Sequence, residues 1–251
     1  MIKNFIVDRV VRGNMYDIKT GKLLWSLNQI QSPSLSMESE TVEATDALGT
    51  PLMSFDRSKS CTFSAENAIF DLSLLGQQVG SEATEGTDVV IPVFETIDVK
   101  GAAATLAHTP DGAVPYIYIV NGDGSLGTQY KAGEDYTVAG TKITFSVEIK
   151  DGTQIFASYD YKGKATAVTN SADKFPKAGR FVMEVLGRDV CNATTEIYAM
   201  LVLPNAKLSA STEVSFETEM TQGFELTAQQ NYCSKTNELF TLVIPEDEDE
   251  E

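Results

Sequence analysis

Apolar and polar residues alternate in short runs along this chain, and turn residues separate the runs. The runs are rich in Val, Ile, Thr, Tyr and Phe, and pairs such as Asp111-Gly112 and Asp123-Gly124 mark the turns. Period-two alternation is typical of strands that bury one face. The predicted strands cover residues 10–16, 22–27, 35–45, 52–63, 88–95, 116–120, 136–138, 142–147, 154–161, 179–186, 195–203, 212–220, 224–232 and 239–244. The pattern predicts a mainly β protein with one flanking α-helix, a long hairpin and an inserted small β-module.

Residues 213–220 show the most regular alternation in the chain, with apolar residues on one predicted face and carboxylates on the other. A second run, residues 36–43, places Glu38 and Glu40 on one face and Glu43 on the other. Like charges side by side repel each other, so rows of acids indicate a functional surface rather than a stabilising one. The acids assigned to this surface are Glu38, Glu40, Glu213, Glu217 and Glu219.

One helix is predicted after the hairpin. Ser64 is a suitable N-cap, Gly80 follows a suitable end, and apolar residues between them recur every three or four positions. We expect this helix to pack on the flank of the sheet.

The long hairpin is predicted from residues 35–45 and 52–63, which a turn-rich segment connects. Acids on the first strand and bases on the second would help to fix the pairing of the two strands. A long hairpin can reach a neighbouring subunit. The residues that we expect to make this inter-subunit contact are Asp46, Leu48, Gly49, Pro51, Arg57 and Lys59.

Residues 98–165 differ from the rest in being richer in Gly, Ala, Tyr and turn dipeptides. We interpret them as an inserted β-module or a large elaboration of the main sheet. Residues 1–97 and 166–245 would then form a discontinuous core, and residues 246–251 a solvated acidic tail.

The net charge of the 251-residue chain is −17, and residues 246–251 supply six of the acids. The remaining body is acidic too, which argues against binding to a nucleic-acid backbone because that requires a basic surface. The first residues lack the apolar core of a signal peptide, and no apolar run is long enough to span a membrane. We therefore expect no membrane partner.

Known catalytic and cofactor motifs are missing from the sequence. His108 is the single histidine, and no GxSxG, HExxH or Walker A motif occurs. Residues 122–127 spell GxGxxG, but no helical pattern follows, so we interpret them as a glycine-rich β-turn. A calcium loop at residues 121–132 lacks the required Gly and Glu. We expect no catalytic residues, no cofactor and no metal.

These features together resemble the major tail (tail-tube) proteins of tailed bacteriophages. The resemblance depends on residues 15–21, which open a hairpin, on the turn at residues 46–51, on the helix and on the closing strands at residues 201–244. It covers about two-thirds of the chain, and residues 98–165 fall outside it.

The resemblance implies a β-sandwich or barrel core with the helix on its flank. It also implies subunits that form rings of six, which stack into a tube in the virion after assembly in the host cytoplasm. Other tail or head proteins of the virion would be partners, and DNA would pass through without specific binding. On this hypothesis the assigned acids line the lumen and repel phosphates. We expect the inserted module on the outside, because it would obstruct a lumen.

Two other interpretations remain open. A capsid decoration or other head protein could use the same architecture with its acidic surface outside. An extracellular adhesin or carbohydrate-binding module would fit the number of strands, but it normally needs a signal peptide.

Overall fold

The computed structural model describes residues 4–112, 115–192, 194–211, 213–214, 216–218, 220–230 and 237–245. The chain divides into two compact units, one formed by Met1–Ala83 with Val168–Glu251 and the other by Thr84–Ala167. Both consist of antiparallel sheets, which confirms the predicted mainly β class.

The strands follow one another as β1 (Phe5–Asp17), β2 (Leu23–Leu27), β3 (Ile30–Thr45), β4 (Pro51–Asn67), β5 (Thr84–Asp98), β6 (Ala103–Thr105), β7 (Tyr116–Val120), β8 (Leu126–Tyr130), β9 (Tyr136–Ala139), β10 (Lys142–Phe145), β11 (Gln154–Ala167), β12 (Ala178–Asp189), β13 (Glu196–Leu208), β14 (Gln222–Ala228) and β15 (Thr241–Val243). The helix α1 (Leu72–Gln78) lies between β4 and β5.

The first unit contains an eight-stranded sheet in the order β2-β1-β12-β13-β14-β4-β3, with β15 on β13. β2 and β3 lie at opposite ends of this order, yet only Asn28 and Gln29 separate them along the chain. Three Cα–Cα steps span at most about 11 Å. The sheet therefore curls until its two ends are close, as in an open barrel.

An aromatic cluster fills the inside of this curled sheet. Trp25, Phe63, Phe181 and Phe224 come from four different strands, and the ring centroids of the contacting pairs lie 5.1–6.4 Å apart. Each of these side chains is at most 5% exposed. The inward positions of the strands thus form one core, and their outward positions are left to solvent or to partners.

The helix is shorter than predicted. β4 continues past the predicted N-cap Ser64 through Asn67, and Ala65 is buried and pairs with Phe224 of β14. The helix begins only after Asp71, whose carboxylate accepts a hydrogen bond from the Leu74 N–H at 2.8 Å. The apolar spacing of residues 64–67 fits both the helical and the strand period, and the pairing of β4 with β14 makes this segment a strand. In the described part of the chain, no helix is long and apolar enough to cross a membrane.

The predicted acidic strand at residues 213–220 is wrong. Among its described residues, Val214 makes one isolated bridge to Gln222, and Phe216 is 83% exposed. β13 and β14 are antiparallel neighbours, with Leu208 opposite Leu226. The described residues of this segment, 213–214, 216–218 and 220, belong to no ladder strand and lie in the connection between β13 and β14.

The second unit has its own core between a four-stranded sheet, β5-β11-β7-β8, and a three-stranded sheet, β6-β10-β9. Ile117, Ile143 and Ile155 are fully buried there. The glycine-rich segment forms the turn of the β7–β8 hairpin, with Asn121 N–H donating to the Ser125 carbonyl at 2.9 Å. The sequence predicted neither β6 nor β8.

This unit begins at Thr84, whereas the sequence placed the start of the module at residue 98. β5 pairs with β11 along its whole length, from Thr84 opposite Ala167 to Asp98 opposite Gln154. An alternating strand has the same pattern whichever sheet it joins, so the pattern of β5 alone does not reveal its partner.

Candidate subunit interface

The hairpin of β3 and β4 is buried at its base and exposed along the rest of its length. Cys61 and Phe63 are each 1% exposed, whereas every residue from 38 to 60 except the half-buried Asp46 is exposed. We call residues 38–60 the arm. At about 3.3 Å per residue, the eight residues from Glu38 to Thr45 extend it by about 25 Å.

Beyond the Glu40–Arg57 pair, the strand register gives the arm one apolar and one polar face. Residues directly opposite on antiparallel strands share a face. Val42 is opposite Phe55, and Ala44 is opposite Met53, on one face. The other face carries the pairs Thr41–Asp56 and Glu43–Ser54. The Thr41 hydroxyl donates to the Asp56 carboxylate at 3.0 Å. We call Val42, Ala44, Met53 and Phe55 the apolar patch of the arm.

A preordered turn closes the arm. The Asp46 carboxylate accepts hydrogen bonds from the N–H groups of Leu48 and Thr50, each at 2.8 Å. These bonds, that of Thr50 first, lower the pKa of Asp46. Gly49 has a φ of 84°, which glycine adopts without a Cβ clash. Leu48 is 92% exposed at this tip, and Pro51 begins the returning strand.

The two basic residues of the arm lie at a bulge near its base. The bulge falls between Glu38 and Glu40, and Ser58 there has a φ of 53°. Arg57 pairs with Glu40, so the predicted opposition of acid and base holds at this position. Lys59 lines a groove between the base and residues 237–240. Bulges bend and twist a strand pair, so this one sets the direction of the arm.

The predicted acids are in part brought to one surface. Glu38 and Glu40 point to the outward side of the sheet formed by β3, β4 and β14, as the alternation predicted, and Glu43 to the other side. Glu213 lines a shallow groove on the outward side together with Glu66 and Glu225. Glu217 is exposed in the connection before β14, and Glu219 lies outside the described residues. We call Glu38, Glu40, Glu66, Glu213 and Glu225 the acidic face.

The sequence did not identify Glu66 and Glu225 as members of this face. Glu66 fell inside the predicted helix, although it belongs to β4 and is exposed. Glu225 alternates with the buried Phe224 and Leu226, and that alternation was the signal for its orientation. Glu225 pairs with Ser64 of β4, two residues before Glu66. Basic side chains adjoin this face: Arg57 opposes Glu40, Lys59 lines a groove with Glu38, and Lys207 opposes Thr227.

A buried amide network attaches the helix to the strand that carries Glu225. The Gln222 side chain is 1% exposed, accepts from the Asp71 N–H at 2.8 Å and donates to the Asp71 carbonyl at 3.3 Å. The Gln78 amide donates to the Gly223 carbonyl at 2.8 Å. Buried amides with satisfied partners fix one arrangement. The network therefore holds β14 and the groove beside it in place.

Comparison with known proteins identifies one family. The model of the YomU/Tube protein family matches residues 4–237, which is nearly the whole chain. No curated protein matches this sequence.

Proposed function

The chain belongs to the YomU/Tube protein family, and on this premise we propose that it assembles into the stacked rings of a phage tail tube through its hairpin arm, leaving an acidic lumen. Membership in this family supports the statement that the chain is a structural protein of a bacteriophage tail tube and a component of the virion. Such a protein is not typically an enzyme.

The observation that carries the ring proposal is the exposed arm. A two-stranded ribbon is marginally stable at best in water, and its strands present unpaired backbone groups at their edges. The apolar patch adds exposed area, with Met53 at 59% and Phe55 at 45%. An exposed apolar surface on a protein of a self-assembling class favours a role as a contact.

A second copy of the chain is the partner that we propose for the arm. Contact between an arm and a different surface of the next copy is heterologous, and such contacts close into rings when the rotation per subunit permits. We propose six copies per ring and stacking of rings, with other tail or head proteins at the ends of the tube. Assembly would take place in the host cytoplasm.

The acidic face is the surface that we propose for the lumen. Carboxylates repel the phosphates of passing DNA, and this face has five of them, more than the basic residues Arg57, Lys59 and Lys207 beside it. Serine and threonine fill the positions between the acids on β3 and β4, such as Ser36 opposite Thr62. A polar, acidic wall of this kind has no cationic groove that could hold DNA.

A charge placed in the apolar patch tests the arm. Phe55→Glu should prevent assembly because a desolvated carboxylate in an apolar contact is costly. The matched control is Ser54→Glu, which puts the same charge one residue away on the polar face. Electron microscopy and sedimentation velocity should show rings or tubes for the wild type and Ser54→Glu, and monomers for Phe55→Glu. Rings from Phe55→Glu, or a wild type that stays monomeric at high concentration, would contradict the proposal.

Replacing the acids by glutamine tests whether they line the lumen. Virions carrying Glu-to-Gln changes at Glu38, Glu40, Glu213, Glu217 and Glu219 should eject DNA more slowly, because the wall no longer repels phosphates. A second variant with Glu66→Gln and Glu225→Gln added should be slower still. The control neutralises five acids of the second unit. Ejection at the wild-type rate in both variants would exclude a lumenal role for these residues.

A further inference from the structure

The four-stranded sheet of the second unit has one face whose side chains are exposed. Its strands alternate cleanly, so that Ile155 and Ala157 of β11 are fully buried while Val90 and Phe94 of β5 are 52% and 69% exposed. Four aromatic residues, which we call the aromatic face, lie on this outward side. They are Phe94, Tyr116, Tyr118 and Phe156.

The register arranges aromatic and polar side chains in two neighbouring rows across the sheet. In the first row Ser158 of β11 lies between its partners Phe94 and Tyr116. In the second row Phe156 lies between Thr96 and Tyr118. Gln129 of β8 pairs with Tyr118 and extends this second row. Hydroxyl or amide groups thus adjoin the aromatic rings in both rows.

The rings form a continuous strip over three strands. Phe94 and Phe156 are nearly parallel, at 11°, with centroids 6.1 Å apart, and Tyr118 follows Phe156 at 6.5 Å. Tyr116 is 61% exposed beside them. An ordinary surface of a monomer carries such apolar residues singly, and a contiguous aromatic strip with a polar surround marks a binding surface.

The charges around the strip indicate the class of ligand. The two rows contain no ionised side chain, although the chain as a whole carries a net charge of −17. Asp98, held by the Gln154 amide at 3.1 Å, lies beyond one end of the rows, and Asp160 lies beyond the other. Nucleic acid requires basic residues, which the rows lack. A neutral ligand with many hydroxyl groups suits both components of the surface.

We propose that the aromatic face of the second unit binds a neutral carbohydrate chain. The C–H groups of a sugar ring carry partial positive charge and pack on the negative faces of Phe and Tyr rings. The hydroxyls of Ser158, Thr96 and the tyrosines can donate to or accept from the sugar hydroxyls. This binding goes beyond the proposed tube function and does not depend on it.

The test is affinity electrophoresis of the full chain in native gels that contain a neutral polysaccharide. The probes are a soluble β-1,4-glucan, a β-1,3-glucan and a galactomannan, with a sulfated dextran to report binding by charge alone. At least one neutral probe should retard the wild type relative to a gel without polysaccharide. A double variant, Phe94→Ala with Tyr116→Ala, should bind about tenfold more weakly, since it loses two ring contacts.

Two controls accompany this measurement. Val90→Ala shortens an exposed apolar side chain of the same strand and face outside the rows, and it should bind like the wild type. Phe94→Tyr with Tyr116→Phe keeps both rings, and it should retain binding even if the alanine variant is poorly folded.

Two outcomes would overturn the inference: retardation by none of the neutral probes, whether or not sulfated dextran retards the chain, or equal retardation of wild type and alanine variant. Sedimentation velocity covers a further case. If the alanine changes instead dissolve a wild-type oligomer and no neutral probe binds, the face belongs to a second copy of the chain.

Discussion

The base and the arm of the long hairpin are two parts of the same pair of strands, but they differ in what covers them. In the base, Phe63 of β4 is 1% exposed because the cluster of Phe181 and Phe224 surrounds it. In the arm, Phe55 of the same strand is 45% exposed. Both stretches have an apolar face. An apolar face therefore shows which side of a strand is suited to burial. Whether it is buried depends on the other strands or subunits that pack on it.

The difference separates stability of the protomer from stability of an assembly. Removing apolar area from water stabilises a fold by about 25 cal/mol per Å². In the base this contribution is made within the unit, through β14 and the core. In the arm the corresponding stabilisation arises only when a partner covers the apolar patch. We therefore expect mutations of the same residue type to have effects of very different size in the two stretches.

The largest expected effect comes from truncating one phenylalanine in each stretch. Phe63→Ala should lower the free energy of unfolding of the unassembled protein by about 3–5 kcal/mol, because it leaves a cavity in the aromatic cluster. Phe55→Ala should change it by less than about 0.5 kcal/mol, as is usual for exposed positions. Urea unfolding at low protein concentration, followed by Trp25 fluorescence, measures both values.

Unlike the stability of the protomer, assembly should be sensitive to truncation of Phe55. Phe55→Ala should weaken the self-association measured by sedimentation equilibrium, because the truncated ring buries less area against the partner. A large loss of protomer stability from Phe55→Ala would show instead that the arm packs on its own unit. In that case the contrast between the two stretches would fail.

Local patterns predicted the hairpin well, and the acids only in part. The alternation of residues 36–43 correctly placed Glu38 and Glu40 opposite to Glu43. The pattern did not reveal where the base ends and the arm begins, since that depends on where β14 stops covering β4. Towards the tip of the hairpin, Thr62 is the last residue of β4 that pairs with β14, and its partner is Thr227.

The errors share a physical cause, which is that long-range pairing overrides local periodicity. Ala65 fits a helical stripe and a strand equally well, and its pairing with Phe224 settles the matter. The regular run at residues 213–220 has the pattern of a strand, but among its described residues only Val214 pairs, in a single bridge to Gln222 at the start of β14. The sequence did not predict that Glu225 belongs to the acidic face, because its position beside Ser64 depends on the pairing of β14 with β4.

The smallest expected effect concerns the tip, where a titratable group holds the turn. Hydrogen bonds from the Thr50 and Leu48 N–H groups lower the pKa of Asp46 below the usual value of 3.8. The folded pKa is depressed, so ionised Asp46 supports the turn above the unfolded value, and this support is lost as the pH falls through the folded pKa. The residues of the base around Phe63 hold no such carboxylate hydrogen bond among those described.

The pH dependence should therefore be confined to the arm. In an NMR titration of the unassembled protein, the amide shifts of Leu48 and Thr50 should move with a midpoint below pH 3.8, while the Phe63 amide stays constant until the protein unfolds. Asp46→Asn should abolish the midpoint, since the amide does not titrate. A midpoint at or above the ordinary value of an aspartate would mean that the turn is not formed in solution. The arm would then lack the rigid tip with which it is proposed to meet a second copy, and ordering it on assembly would cost conformational entropy.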